Sequence, residues 1–288
     1  MNGWIFAWSA LGPVISLILA YPICLKLKDN SLVDIGWALG FVSVAWISFL
    51  INGFQQNSWS LRQIIITSLV TVWGIRLLTY IVVRKIIRGN KEDKRFARYR
   101  EEWKTNIALK SFLILFIPQM ILVYIISAPV MVVNSVMDQP LEILDIVVLV
   151  IGGIIWVIGF FFETTADIQL LRFTSNPENK GKTLNSGLWR YSRHPNYFGE
   201  TTQWWGIFIM MISLGVQPNE LGLATTILAW ISILGPILLT FLLLKVSGVG
   251  LLEETVLKNR DGYKEYMETT SAFIPWFPKK PKEEKPSD

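Results

Sequence analysis

Cysteine and histidine are almost absent from this chain, and these are the side chains from which disulfides and most zinc sites are built. Its 288 residues contain one cysteine, Cys24, and one histidine, His194. A single cysteine excludes a disulfide within the chain and a Cys-based zinc site, and a single histidine excludes a His-rich metal site. We therefore predict no metal among the functional residues.

Charged residues are scarce as well, at 17% of the chain against 52% hydrophobic residues. Apolar stretches of about 20 residues, the length at which a helix crosses a bilayer, recur along the sequence. They cover residues 3–23, 34–51, 62–84, 111–134, 141–163, 197–214 and 221–245. This pattern predicts an all-α fold, a polytopic membrane helical bundle of about seven transmembrane helices.

Lysine and arginine are concentrated in alternate loops between the predicted helices. The basic loops are at about 24–33, 84–110 and 164–196 and after residue 245, whereas residues 52–61, 135–140 and 215–220 contain neither lysine nor arginine. Because basic loops stay in the cytoplasm, the bias predicts an N-terminus outside and a cytoplasmic C-terminus. The same bias accounts for the net charge of +5, so we predict no nucleic acid as a partner.

The second apolar stretch begins with a polar turn. Ser31 is predicted to cap its helix, with Asp34 three residues later as an imperfect capping box. Asp34 lies near the cytoplasmic end of the helix. There it is either a cap or the partner of a basic residue, or a carboxylate that faces the interior of the bundle.

The third apolar stretch carries charge deep within it. Arg76 lies eight residues before Arg84, hence about 12 Å below the cytoplasmic end of the helix. Arg76, Tyr80, Arg84 and Arg88 recur at every fourth position and therefore share one helix face. A charge at that depth is costly and marks a functional site by default. The alternative is that Arg76 pairs with Asp34 or Glu200 only to hold helices together.

The densest polar cluster of the chain lies at residues 185–200, directly before an apolar stretch. Pro195 suits the first turn of the helix that follows, since proline has no N–H to leave unpaired there. A helix N-terminus beside arginines, here Arg190 and Arg193, attracts anionic groups. The cluster therefore predicts the rim of a cofactor site at a membrane surface.

Two carboxylates precede this cluster at the end of the fifth apolar stretch. Glu163 and Asp167 lie one turn apart on one helix face, where like charges repel unless a donor or a cation lies between them. Ribose hydroxyls, a carboxamide or arginines would meet that need. The alternative is that the helix simply runs into water there and leaves both carboxylates exposed.

These residues carry a resemblance to a known superfamily. The segment Gly187-Leu-Trp-Arg-Tyr-Ser-Arg-His-Pro-Asn-Tyr-Phe-Gly-Glu200 resembles the signature shared by steroid 5-alpha reductases, sterol C14 reductases and isoprenylcysteine carboxyl methyltransferases. The ending Glu253-Glu254…Tyr263…Tyr266…Ile274-Pro275 is similar to that of the same superfamily. The run Phe162-Glu-x-x-x-Asp167-x-Gln169 looks most like the bacterial members of the steroid 5-alpha reductase-like branch.

The resemblance covers about residues 155–277 and implies an integral membrane oxidoreductase. It would use NADPH to reduce an activated C=C bond in a steroid-like or other unsaturated lipid, a reaction on a CH–CH group like that of 3-oxo-5-alpha-steroid 4-dehydrogenase. The implied partners are this hydrophobic substrate and the membrane lipids. The implied location is a bacterial inner membrane, with the cofactor site facing the cytoplasm.

The resemblance also implies an organisation. We expect a single transmembrane domain over residues 1–278, in which residues 1–134 form the substrate-side helices and residues 135–278 the cofactor-binding half. The last residues, 279–288, consist mainly of lysine, proline and glutamate, so we expect a disordered tail.

Matching the family's motif residue by residue implies a set of positions that contact the cofactor. They are Asp167, Arg172, Arg190, Tyr191, Arg193, His194, Asn196, Tyr197, Glu200 and Tyr266. Their spacing on the same helices adds Glu163, one turn before Asp167, and Tyr263, three residues before Tyr266. Arginines would hold phosphates, Glu163 and Asp167 would hold ribose or a carboxamide, and Asn196 and Glu200 would orient the nicotinamide.

Catalysis needs a donor at the carbonyl oxygen of the substrate, because hydride addition to an enone places negative charge there. The catalytic candidates are Asp34, Arg76, Tyr80 and Glu200.

Two other functions stay open. One is an S-adenosylmethionine-dependent isoprenylcysteine or lipid methyltransferase, and the other is a non-catalytic lipid-binding membrane protein. Charge favours NADPH, whose phosphates need several Arg or Lys donors, over the nearly neutral S-adenosylmethionine. The available donors are Arg172, Lys180, Lys182, Arg190, Arg193, Lys258 and Arg260. The positive-inside bias alone also places basic residues here.

Overall fold

Helices form all of the regular secondary structure in the part of the chain that the structure, a computed structural model, describes. The described residues are 3–87, 89, 92–137, 140–216, 222–246, 253, 257 and 261–280. Within these ranges there is no strand, and helices suit a lipid environment because their backbone hydrogen bonds lie within the segment. The predicted all-α fold is confirmed.

The first part of the chain forms the helices α1 to α8. They are α1 (Trp4–Ser9), α2 (Leu11–Leu27), α3 (Val33–Gln56), α4 (Leu61–Ile87), α5 (Lys94–Trp103), α6 (Ile107–Ser111), α7 (Ile117–Ile126) and α8 (Ala128–Ser135). A π-helical segment, Phe112–Phe116, joins α6 to α7. The single stretch predicted at 111–134 is thus divided, and Pro118 and Pro129 each lie in the first turn of a new helix, where a missing N–H costs little.

The second part of the chain forms the helices α9 to α13. They are α9 (Ile143–Ser175), α10 (Pro195–Met211), α11 (Leu223–Ile231), α12 (Leu234–Phe241) and α13 (Tyr263–Thr269). Short 3-10 turns occur at Pro177–Asn179, Gly187–Arg190 and Ile212–Gly215, and α12 continues as a π-helical segment, Leu242–Val246. Pro195 is the first residue of α10, as its missing N–H predicts.

The protein is a multi-pass membrane protein. Among the described residues, six helical stretches are long and apolar enough to cross a bilayer: Trp4–Leu27, Asn30–Gln56, Leu61–Ile87, Ile107–Ile126, Ile143–Ser175 and Leu223–Val246. The seventh predicted stretch, 197–214, forms most of α10, which has 17 residues and so spans about 26 Å. Which side of the membrane each end faces stays a prediction.

The chain divides into two compact units. Unit 1 comprises Met1–Gly153 and Ile207–Gly235, and unit 2 comprises Ile154–Gly206 and Pro236–Asp288. The single domain expected over residues 1–278, with its substrate-side and cofactor-binding halves, stays a prediction. Residues 281–288, most of the tail expected to be disordered, lie outside the described residues.

The apolar core of unit 1 encloses the lone cysteine. Cys24 is fully buried beside Val33, Phe116 and Phe96. Phe96 belongs to α5, a helix of otherwise mostly polar residues, and its burial holds α5 against the ends of the membrane helices. The start of α3 differs from the prediction, because its own N-cap is Leu32, which makes no side-chain capping bond. Asp29 instead caps the preceding 3-10 turn, Asn30–Leu32, and accepts hydrogen bonds from the Ser31 N–H at 3.0 Å and hydroxyl at 2.5 Å.

A buried ion pair joins α4 to α9 within unit 1. Arg62 forms a salt bridge with Asp145, and the two residues are only 6% and 4% exposed. The second carboxylate oxygen of Asp145 accepts the backbone N–H of Glu142 at 2.9 Å. Each charge is therefore compensated inside the protein, which a buried charge requires.

Removing one partner of this pair should destabilise the protein strongly. We expect Arg62→Met to cost about 3–5 kcal/mol, because it leaves the Asp145 carboxylate buried without its cation. The measurement is the thermal unfolding midpoint of the protein in lipid nanodiscs. The double variant Arg62→Met/Asp145→Leu removes both charges and should recover most of the loss. An Arg62→Met midpoint equal to that of the wild type would contradict the assignment.

Candidate functional site

Two glycines let α9 and α10 touch backbone to backbone in unit 2. A Cβ atom on Gly159 would lie 2.6 Å from the Gly199 carbonyl oxygen and 2.8 Å from Gln203 Cγ, and one on Gly199 would strike the backbone of Glu163. Side chains of ordinary size would force the helices apart, whereas glycine permits close packing. The crossing therefore brings the polar residues of both helices within hydrogen-bonding distance.

Two carboxylate–carboxamide pairs follow from this crossing. Gln203 Nε2 donates to Glu163 Oε2 at 2.6 Å, and Asn196 Nδ2 donates to Asp167 Oδ1 at 3.1 Å. The Glu163 and Asp167 residues are 2% and 3% exposed. The interpretation that these carboxylates are exposed at a helix end is therefore wrong. Carboxamides supply donors of the kind that the spacing of Glu163 and Asp167 demands.

Each carboxamide leaves its acceptor unused. Because a carboxylate only accepts, the NH₂ group of Asn196 must face Asp167 and that of Gln203 must face Glu163. The oxygens, Asn196 Oδ1 and Gln203 Oε1, are buried and have no hydrogen-bond partner within the described part of the chain. An unsatisfied buried acceptor costs about 1–3 kcal/mol. A ligand that brings N–H donors to these two oxygens would remove that cost.

A second polar cluster in unit 2 is centred on Glu253. Arg193 donates from Nε to Glu253 Oε1 at 2.6 Å and from Nη2 to Oε2 at 3.1 Å, a bidentate pair. Its Nη1 donates to the carbonyls of Met267 and Thr270, each at 2.8 Å. The His194 Nε2 atom lies 3.2 Å from Glu253 Oε1. Arg193 is thereby committed to contacts within the protein.

The protonation of Glu253 reflects these neighbours. Burial acts to raise the pKa of the carboxyl, but the hydrogen bonds from His194 and Arg193 and the charge of Arg193 outweigh burial, so the pKa of Glu253 is lowered below its ordinary value. Tyr266 shows the opposite case, because burial raises the pKa of its phenol well above the ordinary value. At neutral pH Glu253 is thus an acceptor and Tyr266 a donor.

Residues 187–200 are named here the signature segment. Tyr266 and α9 together fix the 3-10 turn, Gly187–Arg190, with which it begins. The Tyr266 hydroxyl donates to the carbonyl of Trp189. Trp189 Nε1 donates to the Ala166 carbonyl of α9 at 3.0 Å, and Gln169 Oε1 accepts a backbone N–H of the turn at 3.0 Å. The turn is therefore held from two sides by buried hydrogen bonds.

Residues 271–280, named here the C-terminal strap, run along the signature segment. The backbone N–H of Arg193 donates to the Ser271 carbonyl at 2.9 Å, and that of Trp276 donates to the Tyr191 carbonyl at 2.9 Å. The Ser192 hydroxyl donates to the Phe273 carbonyl at 2.7 Å. Strap and signature segment thus form one hydrogen-bonded layer.

The predicted cofactor residues fall into three groups by exposure. Glu163, Asp167, His194, Tyr263 and Tyr266 are buried, Arg193, Asn196, Tyr197 and Glu200 are half-buried, and Arg172, Arg190 and Tyr191 are exposed. Lys258 and Arg260, two of the expected phosphate donors, lie outside the described residues. Gln203 and Glu253 are absent from the predicted set, although both contact members of it. Gln203 lies seven residues after Asn196 on the same helix face, a spacing that could have identified it.

The other predicted catalytic residues lie in unit 1, on α3 and α4. The guanidinium carbons of Arg76 and Arg84 lie 5.7 and 5.4 Å from the centroid of the Tyr80 ring. The predicted shared face is therefore confirmed for these three residues, whereas Arg88 lies outside the described residues. Asp34 pairs with Arg84 at 3.7 Å. A tyrosine beside two arginines, one of which pairs with a carboxylate of the neighbouring helix, is an unusual set of groups in membrane-spanning helices.

The close approach of Gly159 and Gly199 makes a testable prediction. We expect Gly199→Ala to lower the thermal unfolding midpoint in nanodiscs, with a cost of about 1–3 kcal/mol, because the added methyl group overpacks the crossing. Gly153→Ala on α9 is the matched control, since a Cβ there meets nothing within 4 Å. The control should leave the midpoint unchanged or slightly raised. Equal midpoints for the two variants would show that the helices do not meet at Gly199.

The lowered pKa of Glu253 makes a prediction about acid. A carboxyl whose folded-state pKa is depressed stabilises the fold above its unfolded-state pKa and loses that contribution as the pH falls towards the folded-state value. We expect the unfolding midpoint to drop between about pH 5 and pH 3. Glu253→Gln should have a shallower slope over the same window, because it cannot ionise. Parallel curves for the two proteins would refute the role of Glu253.

The chain matches a protein family over most of its length, and it is distantly similar to an uncharacterized protein. The family model described as "Protein of unknown function (DUF1295)" matches residues 20–270, a range that contains both units' polar clusters. An uncharacterized protein of Schizosaccharomyces pombe is 26% identical, over 78% of this chain and 70% of that protein. No solved structure gives a significant match.

Proposed function

The chain belongs to the DUF1295 family of proteins of unknown function, and on that premise we propose that it is an NADPH-dependent membrane reductase. Its substrate would be a steroid-like or other unsaturated lipid with an activated C=C bond. The resemblance of the signature segment to that of the steroid 5-alpha reductases supports the reaction class. The polar groups of unit 2 support a nucleotide cofactor.

The observation that carries the proposal is the pair of buried acceptors at Asn196 Oδ1 and Gln203 Oε1. The carboxamide of nicotinamide and the amine of adenine both bring N–H donors that match an amide oxygen. Glu163 and Asp167, one on each carboxamide, are carboxylates of the kind that accept ribose hydroxyls. The residues present therefore fit the polar, uncharged parts of NADPH.

The phosphates of NADPH would be held by exposed cations rather than by Arg193. Arg172 and Arg190, with Lys180 and Lys182, are exposed and present guanidinium and ammonium donors that suit phosphate oxygens. Arg193 is instead bound to Glu253 and to two backbone carbonyls. We assign it a positioning role, in which it fixes the signature segment beside α13.

When bound, NADPH supplies a hydride to the activated double bond. The chain's own groups would bind and orient: Asn196 and Gln203 at the crossing would fix an amide-bearing ring beside the buried carboxylates Glu163 and Asp167. Glu200, one turn after Asn196 on α10, is the catalytic candidate in unit 2. In unit 1 the candidate proton donor is Tyr80, whose ring lies beside the guanidinium groups of Arg76 and Arg84.

The proposed location has two supports: the resemblance to bacterial members of the steroid 5-alpha reductase-like branch supports the choice of membrane, and the basic loops support the orientation. We place the protein in a bacterial inner membrane with the signature segment on the cytoplasmic side, where a soluble nucleotide cofactor is available.

A methyltransferase is the second candidate, and one observation favours it. Among the described residues of unit 2, the most enclosed cation, Arg193, is neutralised by Glu253, whereas the buried ionisable groups at the α9–α10 crossing are Glu163 and Asp167. Carboxylates suit the sulfonium and amino groups of S-adenosylmethionine better than they suit phosphates.

Binding of the two cofactors separates these functions. We expect NADPH, and not S-adenosylmethionine, to raise the unfolding midpoint of the purified protein in nanodiscs, because a ligand that binds the folded state stabilises it. Asn196→Ala should weaken NADPH binding by about tenfold, since one lost hydrogen bond is worth about 1.4 kcal/mol. Asn185→Ala, at an exposed position of the preceding loop, is the control and should bind as the wild type does.

Two other outcomes of this binding experiment would each favour a different function. A shift with S-adenosylmethionine alone would replace the reductase by the methyltransferase. An unfolding midpoint that shifts with neither ligand would favour the non-catalytic lipid-binding protein.

A further inference from the structure

The C-terminal strap exposes an apolar surface outside the membrane-spanning helices. Ile274, Trp276 and Phe277 are 62%, 69% and 77% exposed, and Tyr191 beside them is 36% exposed. The Tyr191 and Phe277 rings touch, with centroids 6.1 Å apart. By contrast Phe273, just before this surface, packs against the Phe198 ring at 5.9 Å. The strap therefore turns one side towards the protein and an aromatic side away from it.

This surface is held in place by the backbone beneath it. Trp276 donates its N–H to the Tyr191 carbonyl at 2.9 Å, and Lys279 donates its N–H to the Thr269 carbonyl at 2.8 Å. Pro275 and Pro278 restrict the backbone further, since proline fixes its own φ. The backbone that carries these large side chains is thus restrained, so little backbone entropy remains to be lost when they are covered.

Composition identifies what covers the surface. Tryptophan and other aromatic residues are enriched at membrane–water interfaces, and lysine side chains extend from there to the headgroups. Lys279 and Lys280 follow the aromatic residues directly and are exposed, which matches the charge of anionic lipids. The protein also crosses the membrane several times, so a lipid interface is always present beside the chain.

We propose that Ile274, Trp276 and Phe277 insert into the interface of the bilayer and that the membrane thereby clamps the C-terminal strap onto the signature segment. The strap bears the Ser271 and Phe273 carbonyls that accept hydrogen bonds from Arg193 and Ser192. Contact with lipid therefore helps to position the signature segment. The inference stands independently of which cofactor binds, because it rests only on the strap and its exposed side chains.

The test uses site-specific labelling, which is possible because the chain has a single native cysteine, Cys24, that can be replaced. In a Cys24→Ala background, Trp276→Cys is labelled with the polarity-sensitive fluorophore NBD, and the full-length protein is placed in nanodiscs of phosphatidylcholine and phosphatidylglycerol at one copy per disc. Lys264→Cys, at an exposed position on α13, is the matched control. Phe277→Cys provides a second labelling position that keeps the test valid if the Trp276 variant fails to fold.

We expect the probe on the strap to emit at shorter wavelength than the control probe and to be quenched by lipids with a nitroxide near the headgroup. Its quenching by aqueous iodide should be several-fold weaker than that of the control. Iodide quenching equal to the control would overturn the proposal. So would protection from iodide without quenching by the labelled lipids, because the surface would then be covered by the chain itself.

Discussion

The contact between two glycines determines what unit 2 can do. Where α9 and α10 cross, neither Gly159 nor Gly199 carries a side chain, and the backbones approach closely enough for the next turns to exchange hydrogen bonds. Without that approach Glu163 and Asp167 would be two like charges buried on one helix, a costly arrangement in an apolar setting. With it, each has a carboxamide donor from the facing helix. The absence of two Cβ atoms thus permits two buried carboxylates.

A different kind of interaction organises the signature segment. The backbone N–H of Arg193 donates to the strap, and its guanidinium group joins the Glu253 side chain to the end of α13. Elements far apart in sequence thus meet at this arginine. Its planar fork of donors makes this possible, since a lysine ammonium could not serve a bidentate carboxylate and two carbonyls at once. The segment that looks in sequence like a cluster of phosphate ligands is, at this residue, a structural junction.

Local patterns in the sequence predicted the elements that depend on local physics. The length of the apolar stretches predicted the membrane helices, and Pro195 predicted the start of α10. The four-residue spacing predicted the shared face of Arg76, Tyr80 and Arg84. Each of these features depends on the length, the first turn or the periodicity of a single helix. The break of the stretch 111–134 was less accessible, because a proline within an apolar run predicts a kink but not which turn begins the next helix.

The contacts between helices could not be read from the sequence. The pairing of Gln203 with Glu163 depends on a crossing between α9 and α10, and the bond from Arg193 to Glu253 joins residues 60 positions apart. Periodicity places each partner on a face, but tertiary packing decides which faces meet. For the same reason Asp29 was missed as the cap of the turn before α3, since its choice over Ser31 depends on how α2 ends.

The length of α9 has a consequence for the membrane itself. Its 33 residues make a rod of about 50 Å, whereas the hydrocarbon layer is about 30 Å thick. Roughly 20 Å of the rod must therefore tilt or project beyond the acyl chains. Since Glu163 and Asp167 lie in its last four turns, the thickness of the host bilayer sets how far these carboxylates stand from the lipid headgroups. In membranes whose lipids differ in acyl-chain length, these two carboxylates would therefore lie at different depths.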